Sequence, residues 1–190
     1  MIERSIINII FSSLYISFFY FYIFKLDVIY SFVISFFSIF IPYLIQLTIS
    51  RKKYLACDLS IEPKNLIVSF FLNIFKVPIF CFIVNKNYYY YKYGRIFYKH
   101  EMTQAEISFM SLIFIIPLLL ISFLSLFFLP QYSIIPSSIL FSSLLPLNES
   151  FGIKIFFGYR KFLEISYYTL LLITSFLLFL VSIGLCNLNL

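Results

Sequence analysis

The sequence is short of charge. Only 12% of its 190 residues are charged, whereas 62% are hydrophobic and the mean hydropathy is +1.00. A globular domain carries about 25% charged residues, so these few charges could not cover a surface that faces water. The composition therefore excludes an ordinary water-soluble domain and indicates an integral membrane protein.

The sequence also has little of the residue types that build catalytic and cofactor sites. Its four glycines are too scattered for a phosphate-binding loop, and its single histidine, His100, leaves no base partner for a serine nucleophile. The three cysteines, Cys57, Cys81 and Cys186, are far apart and odd in number, so they indicate neither a disulfide framework nor a C-x-x-C metal clamp. We therefore expect no cofactor and no metal.

The chain carries a net charge of +6. In a soluble protein this excess would suggest nucleic acid, but no basic segment here is long enough to follow a phosphate backbone. Cationic loops beside apolar spans orient a membrane protein and contact anionic headgroups. The predicted partner is therefore the lipid bilayer, and no nucleic acid is expected.

Long apolar runs predict the membrane-spanning helices. About 20 apolar residues cross a bilayer as a helix, because hydrocarbon about 30 Å thick is covered at about 1.5 Å per residue. Two runs, 66–84 and 132–147, are interrupted by proline and are ambiguous on hydropathy alone. The uninterrupted or clearly inserting runs predict spans at about 5–24, 28–49, 107–128 and 165–186.

The distribution of cations decides between the two interrupted runs. If 132–147 crosses and 66–84 turns back, 12 of the 14 cations lie on one side of the membrane, as the positive-inside rule requires. If 66–84 crosses instead, this asymmetry is lost. The sequence thus predicts one all-α membrane domain over 1–190, with about five transmembrane helices, a re-entrant helix and extended segment over about 66–99, and a cytoplasmic N-terminus in the cell membrane. The clustered cations are Arg4, Arg51, Lys52, Lys53, Lys64, Lys86, Lys92, Arg95, Lys99, Lys154, Arg160 and Lys161.

The segment that begins at His100 partly matches the zinc motif H-E-x-x-H. Gln104 stands where the second histidine would be, and a zinc enzyme needs three protein ligands. Thr103 and Glu106 instead have the spacing of a capping box, in which each side chain bonds the backbone of the other residue. We therefore predict a helix start here rather than a metal site.

Two segments share their layout with a known family. In residues 40–54 an apolar helix runs into the basic triplet Arg51-Lys52-Lys53, and residues 144–156 contain Leu-Leu-Pro followed by Gly152 and then Lys-Ile-Phe. In order, spacing and flanks these resemble short prokaryotic members of the site-2 protease family, which are intramembrane zinc metallopeptidases. In that family the first helix carries H-E-x-x-H, and the second segment reads roughly L-L-P, four residues, D-G-x-K-I-F. The resemblance covers about residues 28–165.

The chemical residues of that family are missing from this chain. The zinc histidines fall on Pro42 and Gln46, the catalytic glutamate on Tyr43, and the third ligand, an aspartate, on Phe151. Proline, glutamine and phenylalanine cannot hold zinc, and tyrosine cannot replace a glutamate that activates zinc-bound water. The resemblance therefore implies a catalytically inactive pseudoprotease that binds or assembles with transmembrane helices of other proteins.

Two other functions stay open on the sequence alone. A small transporter or channel component would use Lys76, Asn73 and Glu149 along a polar path, because ionisable residues within a membrane usually mark ion or proton routes. An active intramembrane metalloprotease would need diverged ligands, of which His100 and Cys57 are the first candidates. Loss of flux in Lys76→Leu would favour the first, and one zinc ion bound per chain would favour the second.

Overall fold

The computed structural model describes residues 2–52, 55–93, 96–100, 103–147, 150–158 and 162–188. The chain is an all-α membrane protein, as predicted, with the addition of a small antiparallel sheet. The sheet was not expected as such, although extended structure was predicted after residue 84. In chain order the elements are α1 (Ile2–Phe24), α2 (Val28–Lys52), β1 (Leu55–Ile61), α3 (Pro63–Ile74), β2 (Ile83–Tyr93), β3 (Ile96–His100), α4 (Gln104–Phe128), a 3-10 helix (Pro130–Tyr132), α5 (Ile134–Leu144), α6 (Phe151–Gly158) and α7 (Phe162–Leu188).

Four helices of the described residues are long and apolar enough to cross a membrane. They cover Glu3–Phe24, Val28–Ser50, Ala105–Phe128 and Tyr167–Cys186, close to four of the predicted spans. Their large apolar side chains are widely exposed on the protein surface, and in a membrane that surface contacts lipid instead of water. We therefore expect these exposed apolar side chains to contact the lipid of the bilayer.

The fifth predicted span was wrong as a single helix over 132–147. The helix α5 has 11 residues and is about 16 Å long, which is half of the hydrocarbon thickness. It ends where Leu145 adopts an extended conformation, ψ 136°, because the following Pro146 disfavours a helical residue before it. The chain then forms α6, which packs beside the first turns of α4: Ser108 donates a hydrogen bond to the Lys154 carbonyl. Within the predicted range 132–147 the structure thus has one short helix, α5, and α6 is a separate helix that follows it.

The sheet has the order β1-β2-β3, and its register shows where the chain turns back. Ile61 at the end of β1 pairs with Ile83 at the start of β2. Residues 62–82 therefore leave the sheet and return to it at adjacent positions. This agrees with the predicted turn of the stretch around Lys76, and the helix-then-extended order of 66–99 is confirmed by α3, β2 and β3.

The core of the described residues is built around α5. Every residue of α5 except Phe141 is buried. Three neighbours hold it by hydrogen bonds: the hydroxyl of Tyr20 bonds Ser138 and the Ile134 carbonyl, the Phe80 amide donates to Ser142 Oγ at 2.8 Å, and the hydroxyl of Tyr168 donates to the Leu144 carbonyl at 2.7 Å. The helix α5 therefore lies at the centre of the core and is hydrogen-bonded to α1, to the turn after α3 and to α7.

The predicted capping box is confirmed at the start of α4. The Glu106 amide donates to Thr103 Oγ1, and Glu106 Oε2 accepts from the Thr103 amide at 3.0 Å. Such a cap satisfies two amides that the first helical turn leaves unpaired. The segment that follows His100 is thus a helix start, as its spacing predicts.

Candidate functional site

The helix α2 buries the three positions at which the resemblance would place the first half of a metal site. Pro42, Tyr43 and Gln46 are all buried, together with Ile39 and Ser50. Their spacing of three and four residues places them on one face of the helix. The opposite face of α2 is exposed, so the burial is specific to the face that carries the candidate positions.

Gln46 joins α2 to α4 by a buried hydrogen bond. Its Nε2 donates to the carbonyl of Met110 at 2.7 Å, and its side chain is completely buried. Its Oε1 has no hydrogen-bond partner among the described residues. Leaving a buried amide oxygen unpaired costs about 1–3 kcal/mol. Gln46 therefore links α2 to α4 by a hydrogen bond, and its Oε1 is a buried acceptor without a partner among the described residues.

Phe151, the second half of the candidate site, is packed against α4. Its ring stacks on that of Phe114 with a centroid distance of 4.4 Å and an interplanar angle of 12°. Both side chains are completely buried. Phe114 lies one helical turn, about 6 Å, after Met110 on the same face of α4. Gln46 and Phe151 thus contact α4 at positions that are one helical turn apart.

Gly152 allows α6 to approach the end of α5 more closely than any other residue would. A Cβ atom built on Gly152 would lie 2.0 Å from the Leu144 carbonyl oxygen and 3.0 Å from that of Leu145. Ser150 supports the same junction, since its Oγ donates to the Leu145 carbonyl and accepts from the Ile153 amide. The glycine that the family resemblance retains is therefore required here by backbone contact.

The side chains at these positions offer packing and one amide, and no metal-ligand chemistry. Tyr43 and Phe151 belong to a single buried hydrophobic cluster that includes Ile39, Phe114 and Leu118. Within the described residues there is no group of three histidine, cysteine or carboxylate side chains near enough to hold a metal ion. The arrangement can fix α2, α4 and α6 relative to one another by packing and by one side-chain hydrogen bond.

The alternative ligands His100 and Cys57 lie on different edges of the sheet. Cys57 in β1 pairs with Asn87 of β2, and His100 in β3 pairs with Tyr89 on the other side of β2. The two outer strands of a three-stranded sheet are about 10 Å apart. The register therefore does not bring these two residues to a common metal position.

The residues of the alternative transport path are also separated. Lys76 is exposed and sits at a turn with φ 63°, whereas the Asn73 side chain is completely buried and donates from Nδ2 to the Ile79 carbonyl at 3.3 Å. Glu149 lies outside the described residues. Of the predicted polar path, the structure therefore shows one buried amide and one surface cation that face different surroundings.

The sequence reasoning missed the polar face of α3 as a whole. Asn65, Ser69 and Asn73 follow each other at four-residue intervals and are all buried. They bond the non-helical segment that follows: Asn65 Nδ2 donates to the Cys81 carbonyl at 3.2 Å, and Ser69 Oγ accepts from the Cys81 amide at 3.1 Å. Non-helical backbone is tolerated at membrane depth only when protein groups satisfy it. The spacing of these three polar residues was the signal that could have revealed this role.

The other face of α3 is apolar and exposed. Ile67 is 58% exposed, Phe71 57% and Phe75, which caps the helix, 77%. The helix α3 thus buries its polar face and exposes its apolar face, whereas a helix on a water-soluble protein would bury its apolar face. This orientation fits a lipid environment for α3, in agreement with a re-entrant segment.

No model of a known protein family, no curated protein and no solved structure matches this chain.

Proposed function

We propose that this chain is a multi-pass membrane protein with the layout of a site-2 protease and without its metal chemistry, which acts by binding or assembling with other membrane segments. In this proposal it lies in the cell membrane with a cytoplasmic N-terminus. The observation that carries the proposal is that Gln46 and Phe151 both contact α4, at positions one helical turn apart. The two residues are 105 positions apart in sequence, and their contacts with the same helix support the proposal.

The order of elements further supports the layout. A long helix that ends in basic residues is followed by a re-entrant stretch, a second long helix, and a broken pair of short helices. Gly152 lies at the break, against the Leu144 carbonyl. The proposal does not include catalysis, because tyrosine, proline, glutamine and phenylalanine at the four positions cannot bind zinc or activate water.

The proposed layout is tested by introducing the family's metal ligands at the corresponding positions of this chain. The triple variant Pro42→His, Gln46→His and Phe151→Asp provides two imidazoles one helical turn apart and a carboxylate, which is a set that zinc prefers. After dialysis against zinc, the purified variant should retain about one zinc ion per chain, and the parent protein should retain none in stoichiometric amount.

A matched control keeps the same ligand types and moves the histidines to the outer face of α2. Ile41 and Ile45 have the same four-residue spacing, but their side chains are 41% and 37% exposed. The variant Ile41→His, Ile45→His and Phe151→Asp should not bind zinc in a single tight site. Equal zinc retention in the two triple variants would show that the layout is not that of the family.

Two further measurements bear on the activity itself. The parent protein, incubated with zinc and a panel of transmembrane substrates in detergent micelles, should yield no cleavage product. Association is measured by energy transfer between labelled chains and labelled single-span peptides in liposomes, at increasing lipid dilution. Energy transfer that persists on dilution supports binding, whereas cleavage or stoichiometric zinc in the parent protein would contradict the inactive assignment.

A further inference from the structure

An apolar groove of about 380 Å³ lies between α2 and α4, at the end of these helices opposite to the Gln46–Met110 contact. Its wall is apolar apart from two serines whose hydroxyls bond carbonyls of their own helices. The lining residues include Val33, Phe37 and Ser38 from α2, Ser125 and Leu129 at the end of α4, and Pro136.

The groove lies on the surface of two helices that are long and apolar enough to cross a membrane, so it opens towards lipid. An extended acyl chain is much narrower than a helix and matches the apolar wall along its length.

Two tyrosines stand at the open end of this groove. Tyr30 precedes Val33 of the groove wall by about one helical turn, and Tyr132 follows Leu129 in the 3-10 helix. Their ring centroids are 6.0 Å apart. The faces of tyrosine rings attract cations, including substituted ammonium groups.

A carboxylate lies beside these rings. Asp27 accepts hydrogen bonds at Oδ1 from the amides of Ile29 and Tyr30, at 2.8 and 3.0 Å, and so begins α2. Burial, and then the negative charge of Asp27, raise the pKa of the Tyr132 phenol. The carboxylate therefore lies at the same end of the groove as the two rings, bonded to the Tyr30 amide.

One cation completes the charges at this end. Lys25 is exposed, with its Nζ 5.9 Å from the Phe21 ring centroid. Lys25 and Asp27 are the only charged residues between positions 5 and 50, and the sequence from 107 to 147 has none. This end of the helices thus offers one positive and one negative group, in contrast to the strongly cationic residues around β1 and β2.

We propose that this groove binds one phospholipid with a zwitterionic, amine-bearing headgroup. One acyl chain lies in the groove, the ammonium group lies between Asp27 and the rings of Tyr30 and Tyr132, and the phosphate faces Lys25. The pairing of opposite charges selects this headgroup over an anionic one that lacks an amine. The inference does not depend on the proposed function, because it concerns a different face of α2.

The test measures which lipid stays bound. The purified full-length protein is exchanged into detergent with equal amounts of phosphatidylethanolamine and phosphatidylglycerol that carry identical acyl chains, and retained lipid is measured by native mass spectrometry. We expect one lipid per chain and an ethanolamine-to-glycerol ratio of about five, the upper range for an exposed ion pair.

Two variants and one control distinguish recognition of the lipid headgroup from binding of the acyl chain. Asp27→Asn keeps the helix cap, because asparagine caps as well as aspartate does, but it removes the charge and should lower the ratio to about one. Glu3→Gln removes an exposed carboxylate on α1, away from the groove, and should leave the ratio unchanged. Ser125→Phe fills the groove and should reduce retention of both lipids together.

Several results would overturn the proposal. One is a preference of the parent protein for phosphatidylglycerol, and another is an ethanolamine-to-glycerol ratio in Asp27→Asn equal to that of the parent. A third is undiminished lipid retention by a Ser125→Phe variant whose circular dichroism spectrum is unchanged. A co-purified transmembrane peptide in the groove would also refute it. If Ser125→Phe does not fold, the ratio measured in Asp27→Asn still decides the headgroup assignment.

Discussion

Gly152→Ala tests whether the junction of α5 and α6 depends on backbone contact. In the native structure a Cβ atom at this position would lie 2.0 Å from the Leu144 carbonyl oxygen and 2.5 Å from its carbonyl carbon. Ordinary contacts begin near 3.4 Å, so α6 must move away by more than 1 Å. The obstacle is main chain at the end of a buried helix, which cannot adopt another rotamer.

The expected loss of stability has two parts. Overpacking that forces a backbone shift costs about 1–3 kcal/mol. The movement also separates Phe151 from Phe114, and an aromatic pair contributes about 0.5–1.5 kcal/mol beyond the area it buries. We therefore expect the free energy of unfolding to fall by about 2–4 kcal/mol, which is a large share of the total for a small domain.

The assay is reversible unfolding by SDS in mixed micelles, followed by circular dichroism. The matched control is Gly184→Ala in α7, because a Cβ there would meet nothing within 4 Å. That exchange should be neutral or stabilise the helix by about 0.5–1 kcal/mol, since alanine loses less backbone freedom than glycine. If Gly152→Ala and Gly184→Ala unfold at the same SDS fraction, the contact with Leu144 does not limit this junction.

Three other predictions concern the turn after α3, the helix α3 itself and the strand β2. Ser142→Ala should lower the free energy of unfolding by about 1–3 kcal/mol, because the buried Phe80 amide loses its acceptor; Ser125→Ala, which loses only a bond within its own helix, should change it by less than about 1 kcal/mol in the same SDS titration. A spin label at Phe71→Cys should be relaxed by oxygen, which dissolves in lipid, more than by a water-soluble nickel complex, and the reverse result would place the outer face of α3 in water. A cysteine that replaces Tyr90 should react with an impermeant maleimide only after the cells are opened, and labelling in intact cells would contradict the predicted orientation.

Local composition was sufficient for the long helices and for the start of α4. Membrane insertion depends on the sum of residue contributions within one segment, so four spans could be assigned without knowledge of their neighbours. The capping box of Thr103 and Glu106 is likewise complete within four residues. In both cases the groups that interact are close together in the sequence.

The sequence predicted which residues form the candidate site, but not the contacts that these residues make. The layout placed Gln46 and Phe151 in two halves of one site, but nothing in either segment indicates the stack on Phe114 or the hydrogen bond to Met110. The helix expected over 132–147 ends early, at Leu144, because Pro146 disfavours a helical residue before it. The hydroxyl of Tyr168, from a distant part of the chain, satisfies the Leu144 carbonyl at this break.

The sequence by itself determined that this chain belongs in a membrane, where its long helices run, and that its charge gathers in particular segments. These properties follow from residue-by-residue transfer between water and hydrocarbon, which needs no tertiary contact. Only the tertiary structure decided which polar groups are buried and what satisfies them. Asn65, Ser69 and Asn73 are buried because the non-helical segment that follows α3 packs against them. These hydrogen bonds exist only once the chain has folded.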